Sequence, residues 1–158
     1  SIELHNYNKT LELYIIDNGT GMSEEKVNSV VDPFYTTRTT RSVGMGLPLL
    51  KQNAEQCGGS FSMKSEINKG TTVKATFKID HIDCPPIGDL AGVISILMTS
   101  NIEVKINFLY NFEEYKYFLD SFACQNILGK ENFQHPVVIT NLKKIIEEGI
   151  INISNINN

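Results

Sequence analysis

The sequence predicts an α+β fold in two parts, and three observations carry that prediction. An apolar run of strand length, residues 11–16, ends on Asp17 and breaks into the alternating glycines of Asp17-Asn18-Gly19-Thr20-Gly21-Met22. A helical pattern that opens at Gly46 and stops at Gly58-Gly59 leads into two alternating segments that read as a β-hairpin. The prolines Pro85-Pro86 then separate this half from a second stretch with helical and strand patterns of its own.

With 158 residues, 41% hydrophobic and 20% charged, the chain can bury one full core or two small ones, which excludes a disordered or fibrous polypeptide. Nine of the 14 basic and nine of the 18 acidic residues lie up to Asp80, leaving five basic against nine acidic beyond it. An acidic second half argues against a nucleic-acid surface. Cys57, Cys84 and Cys124 are odd in number and lack Cys-x-x-Cys spacing, so neither a disulfide framework nor a zinc site is indicated, and a reducing cytoplasm is expected. No apolar run approaches the roughly 20 residues that span a bilayer, and no signal peptide opens the chain, which predicts a soluble protein without membrane contact. The chain begins on Ser1 rather than Met, as a fragment or a processed chain would.

Taken in order, Leu11 to Ile16 alternate little and read as a strand covered on both faces. Asp17 stands at its end, where a carboxylate delivered into a pocket accepts a hydrogen bond from an exocyclic amine such as that of a purine. Gly19 and Gly21 let the backbone approach a flat ligand closely. The same residues also suit an Asp-Asn-Gly hairpin turn. Ser23-Glu24-Glu25-Lys26 has the form of a helix start, with Val27, Val30 and Val31 on one face and Asp32-Pro33 as the stop.

Residues 36–42 hold four threonines, two arginines and a serine with no apolar residue. They read either as a solvated connector or as a mobile lid whose hydroxyls and arginines meet phosphate oxygens. The loop Val43-Gly44-Met45-Gly46 feeds a helix to about Cys57, with Leu47, Leu50 and Ala54 on one face and Pro48 in the first turn. Unpaired N–H groups at such a start form an anion site suited to a triphosphate. In the hairpin, Phe61 and Met63 share one side of residues 60–66, and Val73, Ala75, Phe77 and Ile79 share one side of residues 71–79, around the turn Asn68-Lys69-Gly70.

Beyond the prolines, residues 87–98 carry helical spacing with Asp89 in the first turn. Strands are expected at 103–110 and 114–118, helices at 121–128 and at 137–148 ending on Gly149, and a frayed tail at 152–158. Phe108, Tyr110, Tyr115, Tyr117 and Phe118 read as core. His5, His81 and His135 read as surface or packed residues rather than phosphoacceptors.

The order strand, Asp17-x-Gly19-x-Gly21, Pro33-Phe34, Gly44-x-Gly46-Leu47, helix, Gly58-Gly59, hairpin, Gly70-Thr71 resembles the GHKL superfamily of gyrase-type topoisomerases, large heat-shock ATPase chaperones, histidine kinases and mismatch-repair ATPases. The run from Asp32 to Arg38 and the spacing from Gly46 to Gly70-Thr71 look most like the catalytic ATP-binding domain of bacterial histidine kinases, over roughly residues 10–79. The resemblance implies a two-layer α/β sandwich of the Bergerat ATP-binding type, incomplete at its N-terminus, followed by a small α+β unit. The expected division is 1–80 for the ATP-binding domain, 81–86 for a linker, 87–151 for the α+β unit and 152–158 for the tail.

Asp17 would bind the adenine amine, Gly19 and Gly21 would shape the pocket floor beside Met22, and Thr72 or its neighbour Thr71 would support the base. Phe34 would mark the start of a lid carrying Thr37, Arg38 and Arg41, and Gly44, Met45, Gly46 and Leu47 would approach the phosphates. Implied cofactors are ATP and Mg²⁺, and implied partners are ATP or ADP, a protein phosphoacceptor or response-type protein, and a second copy in a homodimer. The family's asparagine-bearing N box, the source of its magnesium ligand, normally lies several tens of residues before Asp17. Only sixteen residues precede it here, and Asn6 and Asn8 stand on or beside a strand rather than on a helix. The implied activity is Mg-ATP-dependent phosphoryl transfer to a protein histidine or serine, if the N box lies upstream. The other reading is a non-catalytic nucleotide-sensing or docking module of the same fold.

Overall fold

The computed structural model describes residues 1–31 and 45–155. In chain order these form β1 (Ile2–Tyr7), β2 (Thr10–Asp17), α1 (Glu24–Ser29), α2 (Gly46–Gln56), β3 (Ser60–Glu66), β4 (Gly70–Lys78), α3 (Leu90–Ser100), β5 (Asn107–Phe112), β6 (Tyr115–Asp120), α4 (Ser121–Leu128), a 3₁₀ turn (Lys130–Asn132) and α5 (Pro136–Ser154). The α+β class expected from the sequence is borne out. By contacts the chain divides into one unit of Tyr7–Pro85 and another that joins Ser1–Asn6 to Pro86–Asn158.

In the first of these, β4 lies between β2 and β3 and is antiparallel to both. The registers Leu13↔Ala75↔Phe61 and Ile15↔Val73↔Met63 put apolar side chains in rows across one face, because paired residues point the same way. Helix α2 packs on β3 and β4, and Ala54, Cys57, Val73 and Ala75 are buried. Burial, and then hydrogen bonding to the Cys84 thiol, push the Cys57 thiol up to about 11, which keeps it protonated and inert.

The opposite face is polar. Lys74 pairs with Glu12 at 2.8 Å and lies 5.0 Å from the Tyr14 ring centroid, while the Tyr14 hydroxyl donates to Glu12 at 2.9 Å. Burial alone favours the neutral Glu12 acid, yet the hydrogen bonds from Lys74 and Tyr14 outweigh it and hold the carboxyl below its ordinary range. This corrects the expectation of a strand covered on both faces: Leu11 is the one buried residue of β2, and Ile15 is 39% exposed. The apolar run came from rows facing one small helix layer.

Helix α1 starts where the sequence places it. Ser23 is its N-cap, accepting from the Lys26 N–H at 3.4 Å, and Glu24 and Glu25 fill the first turn. The helix is already capped at Val30, two residues before the expected stop at Asp32.

In the other unit, β1 runs parallel to β5 (Ile2↔Phe108 to Asn6↔Phe112), and β5 is antiparallel to β6. Helices α3 and α5 pack together, and Ile94, Met98, Phe108, Phe133, Leu142 and Ile146 form the buried centre. Helix α3 begins at Leu90, not Ile87, because Asp89 acts as its N-cap and accepts from Gly92 N–H at 2.9 Å. Asp120 caps α4 in the same way, through Phe122 and Ala123 N–H.

The strands lie one to four residues later than the sequence suggested, and the aromatic stripe divides: Phe108 and Tyr110 are buried, whereas Phe118 is 56% exposed. Helix α5 does not stop at Gly149. A Cβ there would stand 2.2 Å from the Tyr117 ring, so this glycine serves close packing inside a helix that continues to Ser154. Residues 152–154 are thus helical, not frayed. Among the described residues, no helix is long and apolar enough to cross a membrane.

Candidate functional site

The apolar face of the Tyr7–Pro85 sheet changes character in its last row. After Met63, Val73 and Ile15, the next register position brings together Ser65, Thr71 and Asp17. Three strands thus end in two hydroxyls and a carboxylate on one face.

Asp17 is exposed rather than buried, and its Oδ1 accepts the Gly19 N–H at 2.8 Å in a local Asx turn. Oδ2 has no hydrogen bond among the described residues and keeps its acceptor capacity for a ligand. Ser65 sits at the centre of a denser network. Its hydroxyl accepts the Met22 N–H at 2.8 Å, donates to the Gly70 carbonyl at 3.0 Å and lies 2.9 Å from Thr71 Oγ1.

The glycines make the close packing possible. Gly21 has φ 63° and an added Cβ would lie 1.9 Å from the Glu66 carbonyl oxygen; Gly70 has φ 102° and an added Cβ would lie 2.0 Å from the Asp17 carbonyl oxygen. Asn68 N–H donates across to Thr20 O at 2.8 Å. The Asp17–Met22 loop and the β3–β4 turn are therefore one interlocked piece. A depression of about 300 Å³ is bordered by Asp17, Lys64, Ser65, Gly70, Thr71 and Thr72, and a second of about 360 Å³ lies between α1 and β3 against Val27, Asn28, Met63 and Ser65. Lys64 borders both.

The structure separates two residues the sequence left as alternatives. Thr72 pairs with Ile16 and Lys64, so its side chain leaves the sheet on the face opposite Asp17, whereas Thr71 pairs with Asp17. The geometry favours Thr71 as the neighbour of the Asp17 carboxylate. Ser65 was missed altogether, although its phase announced it: it follows Phe61 and Met63 on the inward side of an alternating strand, a polar residue where the pattern calls for an apolar one.

Met45, Gly46 and Leu47 stand at the start of α2. Met45 is the N-cap without a side-chain cap bond, Leu49 N–H returns to Met45 O at 3.0 Å, and Pro48 has no N–H, which leaves Gly46 and Leu47 as the donors of the first turn. Among the described residues nothing lies within 4 Å of a Cβ built at Gly46. Phe34, Thr37, Arg38, Arg41 and Gly44 lie outside the described residues. Among the described residues, no group of three or more His, Cys, Asp or Glu side chains is placed to hold a metal ion.

Residues 1–81 match the family model described as histidine kinase-, DNA gyrase B-, and HSP90-like ATPase. Over 65 residues the chain is 45% identical to Sensor protein SrrB of Staphylococcus aureus strain NCTC 8325 / PS 47, and equally to the proteins of that name from strains COL and MSSA476. That stretch is 38% of this chain, and the chain spans 11% of the length of these relatives. With the Asp17 row, the glycine-locked loop and the open start of α2 in place, the match over half the chain settles its membership: the chain belongs to the histidine kinase-, DNA gyrase B- and HSP90-like ATPase family, with a histidine-kinase-like ATP-binding domain over residues 1–81.

Proposed function

We propose that this chain is the nucleotide-binding part of a bacterial sensor-kinase-like protein that uses Mg-ATP to phosphorylate a histidine or serine on a separate segment or a partner protein. The observation that carries the reading is the Asp17 carboxylate, with one oxygen tied to Gly19 N–H and the other open beside Thr71. A single open acceptor suits the exocyclic amine of adenine.

Gly46 and Leu47 N–H groups would meet phosphate oxygens, assisted by the partial positive charge of a helix start. From the sequence, Arg38 and Arg41 are assigned to neutralising the terminal phosphates, Phe34 and Thr37 to the lid, and Gly44 and Met45 to the approach to the phosphates. ATP, when bound, supplies the γ-phosphoryl group; this chain's residues hold the base and the anionic end apart and oriented, which is most of what catalysis of phosphoryl transfer requires. Among the described residues no group of three or more His, Cys, Asp or Glu side chains forms a metal site, and Mg²⁺ carried with ATP would be held in large part by the phosphates. A cytoplasmic setting, a response-type partner protein and a homodimer belong to the same reading.

The test is a calorimetric titration of the full chain with ADP and ATP, beside Asp17→Asn and Arg38→Ala. The expected result is binding that Asp17→Asn weakens at least about thirtyfold, as loss of a charged acceptor does, and that Arg38→Ala weakens more for ATP than for ADP. Equal losses for the two nucleotides would remove Arg38 from the γ-phosphate, and no effect of Asp17→Asn would remove the adenine site.

A further inference from the structure

We infer that Ser65 is a positioning residue for the purine base: its hydroxyl orients the Thr71 hydroxyl beside Asp17 and pins the Asp17–Met22 loop to the β3–β4 turn. The inference rests on the adenine reading of the Asp17 row.

A serine hydroxyl has one proton and two lone pairs. Met22 N–H takes one lone pair at 2.8 Å, a bond that spans 43 residues of sequence and fixes the oxygen in place. Two acceptors compete for the single proton, the Gly70 carbonyl at 3.0 Å and Thr71 Oγ1 at 2.9 Å. When the proton lies on Gly70 O, the contact with Thr71 is made by the threonine's own proton, and Thr71 shows only lone pairs to the site. When the proton turns to Thr71, the threonine's proton is released to donate outward.

Adenine presents an amine donor at position 6 next to an acceptor at N1. Asp17 takes the donor, and Thr71, the adjacent position in the row, is placed to donate to N1. The second arrangement does so without leaving Met22 or Thr71 unpaired. Turning the Ser65 proton sacrifices only its bond to Gly70 O, a small cost beside a new hydrogen bond to the base. Replacing Ser65 by alanine removes both effects: the part-buried Met22 N–H loses its acceptor and the Thr71 rotor loses its guide.

The experiment compares the full wild-type chain with Ser65→Ala and Ser65→Thr, using ADP and its 1-deaza analogue, in which N1 is replaced by CH. Met22 amide exchange is followed in the ligand-free proteins. Wild type is expected to bind ADP more tightly than 1-deaza-ADP. Ser65→Ala weakens ADP about tenfold, the scale of one hydrogen bond to a base, but 1-deaza-ADP by less than about threefold. Ser65→Thr, which keeps the hydroxyl, restores ADP affinity to within about threefold. Met22 exchange rises in Ser65→Ala and not in Ser65→Thr.

Wild-type protein that binds no ADP overturns the adenine reading and this inference with it. Wild-type binding that Ser65→Ala leaves unchanged, or weakens equally for both ligands, overturns the inference alone. Unaltered Met22 exchange in Ser65→Ala overturns the pinning of the loop.

Discussion

The turn between β3 and β4 places Asn68 at φ 64° and Gly70 at φ 102°, whereas the turn between β5 and β6 has a single positive φ, 50° at Glu113. Both turns are tied to a neighbouring segment by one backbone bond, Asn68 N–H to Thr20 O at 2.8 Å in the first and Glu113 N–H to Asn6 O at 3.0 Å in the second. Beyond that bond they diverge. The first turn is pressed against the Asp17–Met22 loop so closely that Gly70 and Gly21 cannot carry a Cβ. In the second, the ladder simply closes on ordinary side chains, with Phe112 opposite Tyr115. A hairpin that completes a sheet tolerates ordinary residues at its tip. A hairpin that forms the wall of a ligand site has its backbone dictated by the loop it holds, and glycine is the residue that answers.

The largest effect that sharpens this contrast is expected for Gly70→Ala. A side chain at φ 102° meeting the Asp17 backbone should lower stability by about 2–4 kcal/mol and abolish ADP binding, measured by urea denaturation and by titration. A variant with near wild-type stability would break the comparison.

Gly149→Ala is the control from the other unit. Its Cβ meets the Tyr117 ring, so a stability loss of about 1–3 kcal/mol is expected from overpacking, with ADP affinity unchanged. A matching loss of affinity would show that the site depends on the C-terminal core.

Thr71→Val and Thr72→Val separate the two faces of β4. Thr71→Val should weaken ADP about tenfold, and Thr72→Val less than about twofold. Equal effects would mean that the register does not decide which threonine meets the base.

The smallest effect is expected on the polar face. Glu12 has its carboxyl held below its ordinary value of 4.5, so its pairing with Lys74 contributes fully above about pH 4.5 and is lost as the pH falls through the lower folded value. Glu12→Gln should cost less than about 1 kcal/mol at neutral pH and should flatten the acid side of the stability curve. A steeper acid side in the variant would contradict the assignment.

Much of the ATP-binding half was legible because its signals are local. The strand that ends at Asp17, the helix from Gly46, the capping by Ser23 and the hairpin around Asn68-Lys69-Gly70 all fall where spacing, caps and turn residues place them. The choice between Thr71 and Thr72 was legible too, in the phase of Val73 and Ala75, but needed the partner strand to show its meaning. What the sequence could not show depends on distant partners. β1 pairs with β5 across a hundred residues, and nothing in Ile2 to Asn6 encodes that choice. Gly149 resembles a helix stop until the Tyr117 ring appears beside it. The run of residues 11–16 resembles a strand buried on both sides because Tyr14 and Ile16 add apolar surface to a face that Glu12 and Lys74 make polar.

The central claim is that the interlocked loop and β3–β4 turn form the nucleotide site. The direct measurement is amide hydrogen exchange, residue by residue, with and without ADP. Added protection is expected at Gly19, Met22 and Thr71 and at the first turn of α2, with the amides of residues 107–120 unchanged. Protection that appears in residues 107–120 while Gly19, Met22 and Thr71 exchange as before would contradict that claim.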